Sequence, residues 1–262
     1  MKPYALLGVV TGLALLVGAI LLSGFYIIGE HEASIVVEYE AWELVGGRPE
    51  DLIKNLIRIL GGLHEGGSTH IVKRDDPSLL ALPLGNLHWH RPWPLGRHHL
   101  VSLKPRDYEL KVPFMFSVDP QYYLVLTEGG FEFLSQYDLY LPEKSVAVLF
   151  VNVKFEISEL ENWAKMDKYG YGDDLIRLTL IRDLEQRIFR RINEIYTEKR
   201  EKHPDLDEET LLKLIADYIR GSPEEVVSGF QEYLSGLRGR VGLTFLEYRV
   251  VDLRAEPISD FL

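Results

Sequence analysis

His88, His90, His98 and His99 are the residues in this sequence best suited to chemistry. Neutral imidazoles are good zinc ligands, and zinc takes four ligands, or three and a water. His88 and His90 stand two apart, so on a strand they share a face. No HExxH pattern accompanies them, and the segment reads equally as the polar rim of a Trp/Pro-rich turn. The carboxylate pairs are Asp75-Asp76, Asp173-Asp174 and Glu208-Glu209. Acid/base catalysis needs two carboxyl groups across a pocket with separated pKa values. Adjacent carboxylates at helix starts fit the helix dipole instead. There is no cysteine and no Gly-x-Ser-x-Gly, and Gly61-Gly62, Gly66-Gly67 and Gly129-Gly130 do not match a phosphate loop. The expectation is therefore no catalytic residue, no cofactor and no metal. A metal-dependent, membrane-tethered enzyme built on histidines 88–99 stays as the lesser alternative.

Several elements must position these residues. Ser34–Glu40 puts Ile35, Val37 and Tyr39 on one face of a strand. Pro49–Leu60 predicts a helix stopped by Gly61-Gly62, and 62–78 reads as loop. Leu87–Gly96 is rigid and extended, because each proline biases its predecessor away from helix. Strands are predicted over 100–113, 114–118, 122–127 and 146–157. The period then changes. Ile176, Leu180, Leu184, Ile188 and Ile192 make an i+4 row in one long helix over 173–199. Its other face carries Arg182, Arg187, Arg190 and Arg191, read either as a subunit interface, where arginine pairs with a neighbour's carboxylates, or as a solvated face with internal pairs such as Asp183 with Arg187. A second helix is predicted over 207–220. Ser222-Pro223-Glu224-Glu225 reads as a capping box opening a third, to 237. A final strand spans 241–253. Strands, then helices, then one strand give an α+β order.

Between Pro3 and Gly29 there is no charged residue and no histidine. At about 1.5 Å per residue, about 20 residues cross an apolar layer of about 30 Å. The run outlasts the apolar core of a cleaved signal peptide, so residues 1–29 are expected to be a transmembrane signal anchor. Tyr4, Leu13 and Leu16 lie along it, with Phe25 and Tyr26 at its far end. All 40 acidic residues and every basic one except Lys2 follow the run. Positive-inside logic then puts the N-terminus in the cytoplasm and the domain on the extracytoplasmic side, the periplasm in a bacterium. Trp89 and Trp93 are candidates for membrane-proximal contact, or for ordinary packing under the Pro-rich turn. The net charge of −11 argues against nucleic acid as a partner.

Four stretches resemble one superfamily: GFYIIGEHEASIVVEYE (24–40), LGNLHWHRPWPL (84–95), FVNVKFEISELENW (150–163) and VGLTFLEYRVVDLRAEPISDFL (241–262). They look like the membrane exit and first strand, the Gly-Leu-His-Trp segment with its Pro-rich turn, the central strand with a short helix, and the closing strand of SPFH or band 7 proteins (stomatin, prohibitin, flotillin, HflK-HflC), in the HflK-like branch. The resemblance covers roughly 20–45 and 84–262. It implies an SPFH-like domain over 30–262, with an antiparallel-rich sheet, then helices, then a closing strand. On this resemblance residues 45–83 are expected to be an atypical insertion, and no C-terminal coiled coil is expected.

The resemblance further implies a non-enzymatic, membrane-anchored scaffold. Such a protein forms homo- or hetero-oligomers with SPFH proteins and organises or restrains a membrane partner, such as an FtsH-type AAA protease. An accessory subunit of a longer SPFH protein is the alternative. On this reading Arg182, Arg187, Arg190 and Arg191 mark the oligomer interface.

Overall fold

Alternating apolar runs and one long i+4 apolar row fold into an α+β chain of two compact units. The computed structural model describes residues 3–39, 54, 58, 67–74, 76, 86–92, 95–141, 144–168 and 170–262, with side chains of the first helix from Thr11 onward. One unit comprises Met1–Lys104 and Glu159–Gly172; the other comprises Pro105–Ser158 and Asp173–Leu262.

The first unit holds α1 (Pro3–Leu22), β1 (Phe25–Ile27), β2 (Glu32–Glu38), β3 (Ser68–Lys73), β4 (Leu87–Trp89), β5 (Gly96–Ser102) and α2 (Leu160–Met166). β2 is the middle strand of an antiparallel sheet in the order β3-β2-β5. Ala33 through Val37 are all buried, as expected of a strand covered on both faces. β1 pairs with β4, setting Tyr26 opposite His88 and Phe25 opposite Trp89. Tyr26, Ile28 and Val36 form a small core with Val72.

The second unit holds β6 (Arg106–Pro113), β7 (Met115–Asp119), β8 (Tyr122–Thr127), β9 (Gly130–Ser135), β10 (Ser145–Ile157), α3 (Gly172–Lys202), α4 (Glu208–Gly221), α5 (Phe230–Ser235), α6 (Leu237–Val241) and β11 (Leu243–Pro257). β10 lies between β11 and β6, antiparallel to both. β7, β8 and β9 form a meander that packs Val125 and Leu134 against Val146, Val148, Phe150 and Ile258. The i+4 row of α3 is its buried face: Ile176, Leu180, Leu184, Ile188 and Ile192 are each at most 4% exposed. Burying each aliphatic side chain contributes about 1.5–3 kcal/mol. Asp207 caps α4, accepting the Thr210 N–H at 2.9 Å. β11 bulges at Leu246 and at Val251, which lack partners on β10.

The structure corrects several expectations. The uncharged run is not one helix. It breaks at Ser23-Gly24, and Phe25–Ile27 leaves as a strand. Among the described residues no helix is long and apolar enough to cross a membrane. The transmembrane element of the fold class, and the single-pass localisation drawn from it, are corrected on that ground. The helix over 49–60 lies outside the described residues except Lys54 and Arg58, which are helical. Within the stretch read as loop, Ser68–Lys73 is a strand. The strand over 100–113 is two, separated at Pro105, which has no N–H to give a ladder.

The helix predicted from Ser222 is also broken. Pro223–Val227 is a 3-10 turn, Gly229 adopts φ +76°, and α5 and α6 follow. Ser222 makes no side-chain cap there. The Tyr218 hydroxyl occupies the Glu225 carboxylate, so the reciprocal capping box does not form.

Candidate functional site

The four histidines are placed by β4, the turn after it, and β5. Three of them, His88, His90 and His98, gather around the Tyr26 ring, and His99 points away from it. His88 is 3% exposed and donates through Nε2 to the Arg74 carbonyl at 3.2 Å. His98 and His99 are consecutive on a strand, so they point to opposite faces. His98 stacks on Tyr26, with ring centroids 4.3 Å apart. His99 faces Asp167 at 3.3 Å. His90, 2% exposed, meets His98 across 2.8 Å, Nε2 to Nδ1.

The partners fix the tautomers. A carbonyl can only accept, so His90 Nδ1, 2.5 Å from the Arg91 oxygen, carries a proton. His90 Nε2 is then the acceptor, and His98 Nδ1 donates to it. Burial pushes both imidazoles below their usual range. For His98, His90 and His99 add to the effect and bring it to about 4. Burial also pushes the Tyr26 phenol up to about 12. All three rings are therefore neutral near pH 7.

Two glycines let this turn close. A Cβ on Gly96 would lie 2.0 Å from the Arg91 oxygen and 2.7 Å from His90 Nδ1. One on Gly24 would lie 2.5 Å from the His90 oxygen. Among the described residues no group of three His, Cys, Asp or Glu side chains is placed to hold a metal ion.

The sequence alone does not single out Asp167. It is 5% exposed and gathers three donors: Gly172 N at 2.6 Å, Trp163 Nε1 at 3.0 Å and His99 Nε2 at 3.3 Å. Burial alone would raise its pKa. The hydrogen bonds from His99, Gly172 and Trp163 outweigh burial and hold the carboxyl below the usual range. A Cβ on Gly172 would lie 2.7 Å from the Asp167 Cβ, so glycine is what lets the backbone at 172 approach the Asp167 carboxylate. The available signal was Trp163 and Asp167 at i and i+4, with a glycine five residues on.

The arginines of α3 separate into two pairs. Arg187 lies over the Tyr233 ring at 4.9 Å. Its expected partner, Asp183, instead accepts the Tyr233 hydroxyl. Arg191 pairs with Glu194 at 2.9 Å and Glu198 at 3.4 Å. Arg182 and Arg190 are exposed on the side of α3 where Leu175 and Leu178 are 48% and 65% exposed.

Of the remaining site residues, Leu13 and Leu16 on α1 are 61% and 57% exposed. Tyr4 lies in α1 ahead of its described side chains. Phe25 is half-buried on β1, and Tyr26 belongs to the histidine cluster. Trp89 is half-buried on β4, and Trp93 lies outside the described residues.

The arrangement can bury, orient and dock; the histidines and Asp167 are each occupied by neighbours in their own unit. No family model matches the chain, and no curated protein matches it.

Proposed function

We propose that this chain is a non-enzymatic, SPFH-like scaffold that assembles with copies of itself or with other SPFH proteins and organises or restrains a partner. The resemblance in sequence implies an FtsH-type AAA protease as the partner class. The observation that carries the reading is the outward side of α3. Leu175 and Leu178 are exposed beside Arg182 and Arg190, while the opposite side is fully used by the core. Exposed apolar residues mixed with arginine are the composition of an assembly surface.

Sedimentation velocity at micromolar concentration tests it. The chain is expected to run as an oligomer, and the double substitution Leu178→Asp, Arg190→Glu to shift it to monomer without loss of helix content. A wild-type chain that stays strictly monomeric sinks the reading.

A further inference from the structure

Among the described residues β1 pairs with β4 alone, over three positions, and so short a two-stranded ribbon is marginal in water. Tyr26 and Ile28 seat the ribbon on Val36 of β2 and Val72 of β3. A stack of histidines adds to that seat. The rings of His88, His90 and His98 lie 5.7, 5.6 and 4.3 Å from that of Tyr26, and those of His90 and His98 lie 4.9 Å apart. His98 belongs to the β3-β2-β5 sheet, whereas Tyr26, His88 and His90 belong to the ribbon and the turn after it. The stack is thus a joint between ribbon and sheet. It also fixes the end of α1, because the His90 N–H donates to the Gly24 carbonyl at 3.0 Å, directly after that helix.

The joint is built for neutral rings. Both nitrogens of His90 are used, Nδ1 by the Arg91 carbonyl at 2.5 Å and Nε2 by His98 at 2.8 Å, and His90 is 2% exposed. A second proton in the gap between His90 and His98 breaks their contact. A charged His98 would gain from the Tyr26 face and lose more to burial and to His90 and His99 beside it. The charged neighbours are engaged elsewhere. Glu38 of β2 favours a charged His90, less strongly than burial opposes it, and its carboxylate takes the Arg91 N–H at 2.8 Å and faces the Arg91 guanidinium at 3.6 Å. Asp76, which acts on Tyr26, takes the Lys73 N–H. Arg91 and Arg97 reach Tyr39, His70 of β3 keeps to Ser68, and His99 turns to Asp167 on the other face of β5. Once the ribbon lifts, the histidines lie in water and take protons in their ordinary range of about 6.5.

We propose that the Tyr26–His88–His90–His98 stack is an acid-released clamp: protonation of its histidines lifts the β1–β4 ribbon, and with it the end of α1, from the β3-β2-β5 sheet while both units stay folded. The inference goes beyond the assembly reading and needs no partner, so a strictly monomeric chain can still carry the clamp.

Hydrogen exchange of the full chain at residue resolution, at pH 7 and pH 4.5 and corrected for intrinsic rates, tests it. The reporters are the Ile28 and His90 amides, which donate to Asn86 and Gly24. Their protection should fall on the order of 50-fold in acid, the ratio set by one histidine titrating at about 4 when closed and about 6.5 when open. The Ile35–Val37 amides of β2 and the Val151–Phe155 amides of β10 should keep theirs. His98→Asn leaves an N–H near the place of Nδ1 and cannot titrate; His98→Phe keeps a ring on Tyr26. In both, the acid loss should shrink about tenfold or more. A variant already unprotected at pH 7 has lost the joint itself, and the wild-type profile then decides. Equal ribbon protection at the two pH values, a loss that spreads evenly to β2 and β10, or a wild-type acid loss in both variants would overturn the proposal.

Discussion

His90 Nε2 and His98 Nδ1 lie 2.8 Å apart, and one proton sits between them, because the other nitrogen of His90 is committed to the Arg91 carbonyl. A proton added to His90 Nε2 would set two N–H groups against each other. A proton added to His98 goes to its far nitrogen, beside the Tyr26 ring. Glu38 favours the charged form of His90, and burial opposes it more strongly.

The pH dependence follows in sign. His98 is held at about 4 in the fold against an ordinary value of about 6.5 when unfolded. Between those values the unfolded chain binds the extra proton, so stability rises with pH through that window. The contribution is complete above about 6.5 and lost as pH falls toward about 4. Urea midpoints measured from pH 7 to 4 should show His98→Phe with a flatter profile, the difference being on the order of 2 kcal/mol. Parallel profiles for the two proteins would show that the histidine pair does not carry the acid sensitivity.

Two glycine substitutions should differ in sign. Gly96→Ala places a Cβ against the Arg91 oxygen and His90 Nδ1, backbone and a committed ring, so the turn must open. A loss of about 2–4 kcal/mol is expected. Gly239, within α6, has nothing within 4 Å of its would-be Cβ, and Gly239→Ala should gain about 0.5–1 kcal/mol of helix propensity. Equilibrium denaturation of both variants reads the contrast, and similar effects from the two would count against the close packing of the His90 turn.

Asp167→Asn keeps the shape and removes the charge. An amide oxygen can serve the donors on one side only, and its NH2 then meets a donor on the other. The expected cost is about 2–4 kcal/mol. The native carboxyl sits below its unfolded value, so its stabilisation is present above the ordinary carboxyl range and lost as pH falls through the folded value. The gap between wild type and Asp167→Asn should therefore narrow in strong acid. A gap constant from pH 7 down to pH 2 would assign the cost to packing alone.

Periodicity carried much of the fold in advance. β10 announces itself by alternation, and α3 by a row of aliphatics at every fourth place, because burial of one face is decided locally. The errors fall where a tertiary partner outweighs local pattern. Phe25 and Tyr26 continue an apolar run, yet pairing with β4 and stacking on His98 make them a strand. Ser68–Lys73 is mostly exposed and has no apolar face of its own; its register comes from β2. Glu225 has the spacing of a capping residue and is taken by Tyr218. The arginine row was visible as a row, but the rings of α5 that claim Arg187 lie more than 40 residues further along the chain.

The division of the chain also sets an order in time. α2 belongs with strands made long before it, since Glu159–Gly172 completes the unit begun at the N-terminus. β10, the middle strand of its sheet, must wait for β11, and 85 residues separate Ile157 from Leu243. At a synthesis rate of about 5–20 residues per second, the apolar run of β10 spends roughly 4–17 s with one of its two neighbours still unmade. The first unit is complete only once Gly172 is made, and the second only once β11 is. The nascent protein depends on whatever shields that half-paired strand until the last 20 residues, from Leu243 on, arrive.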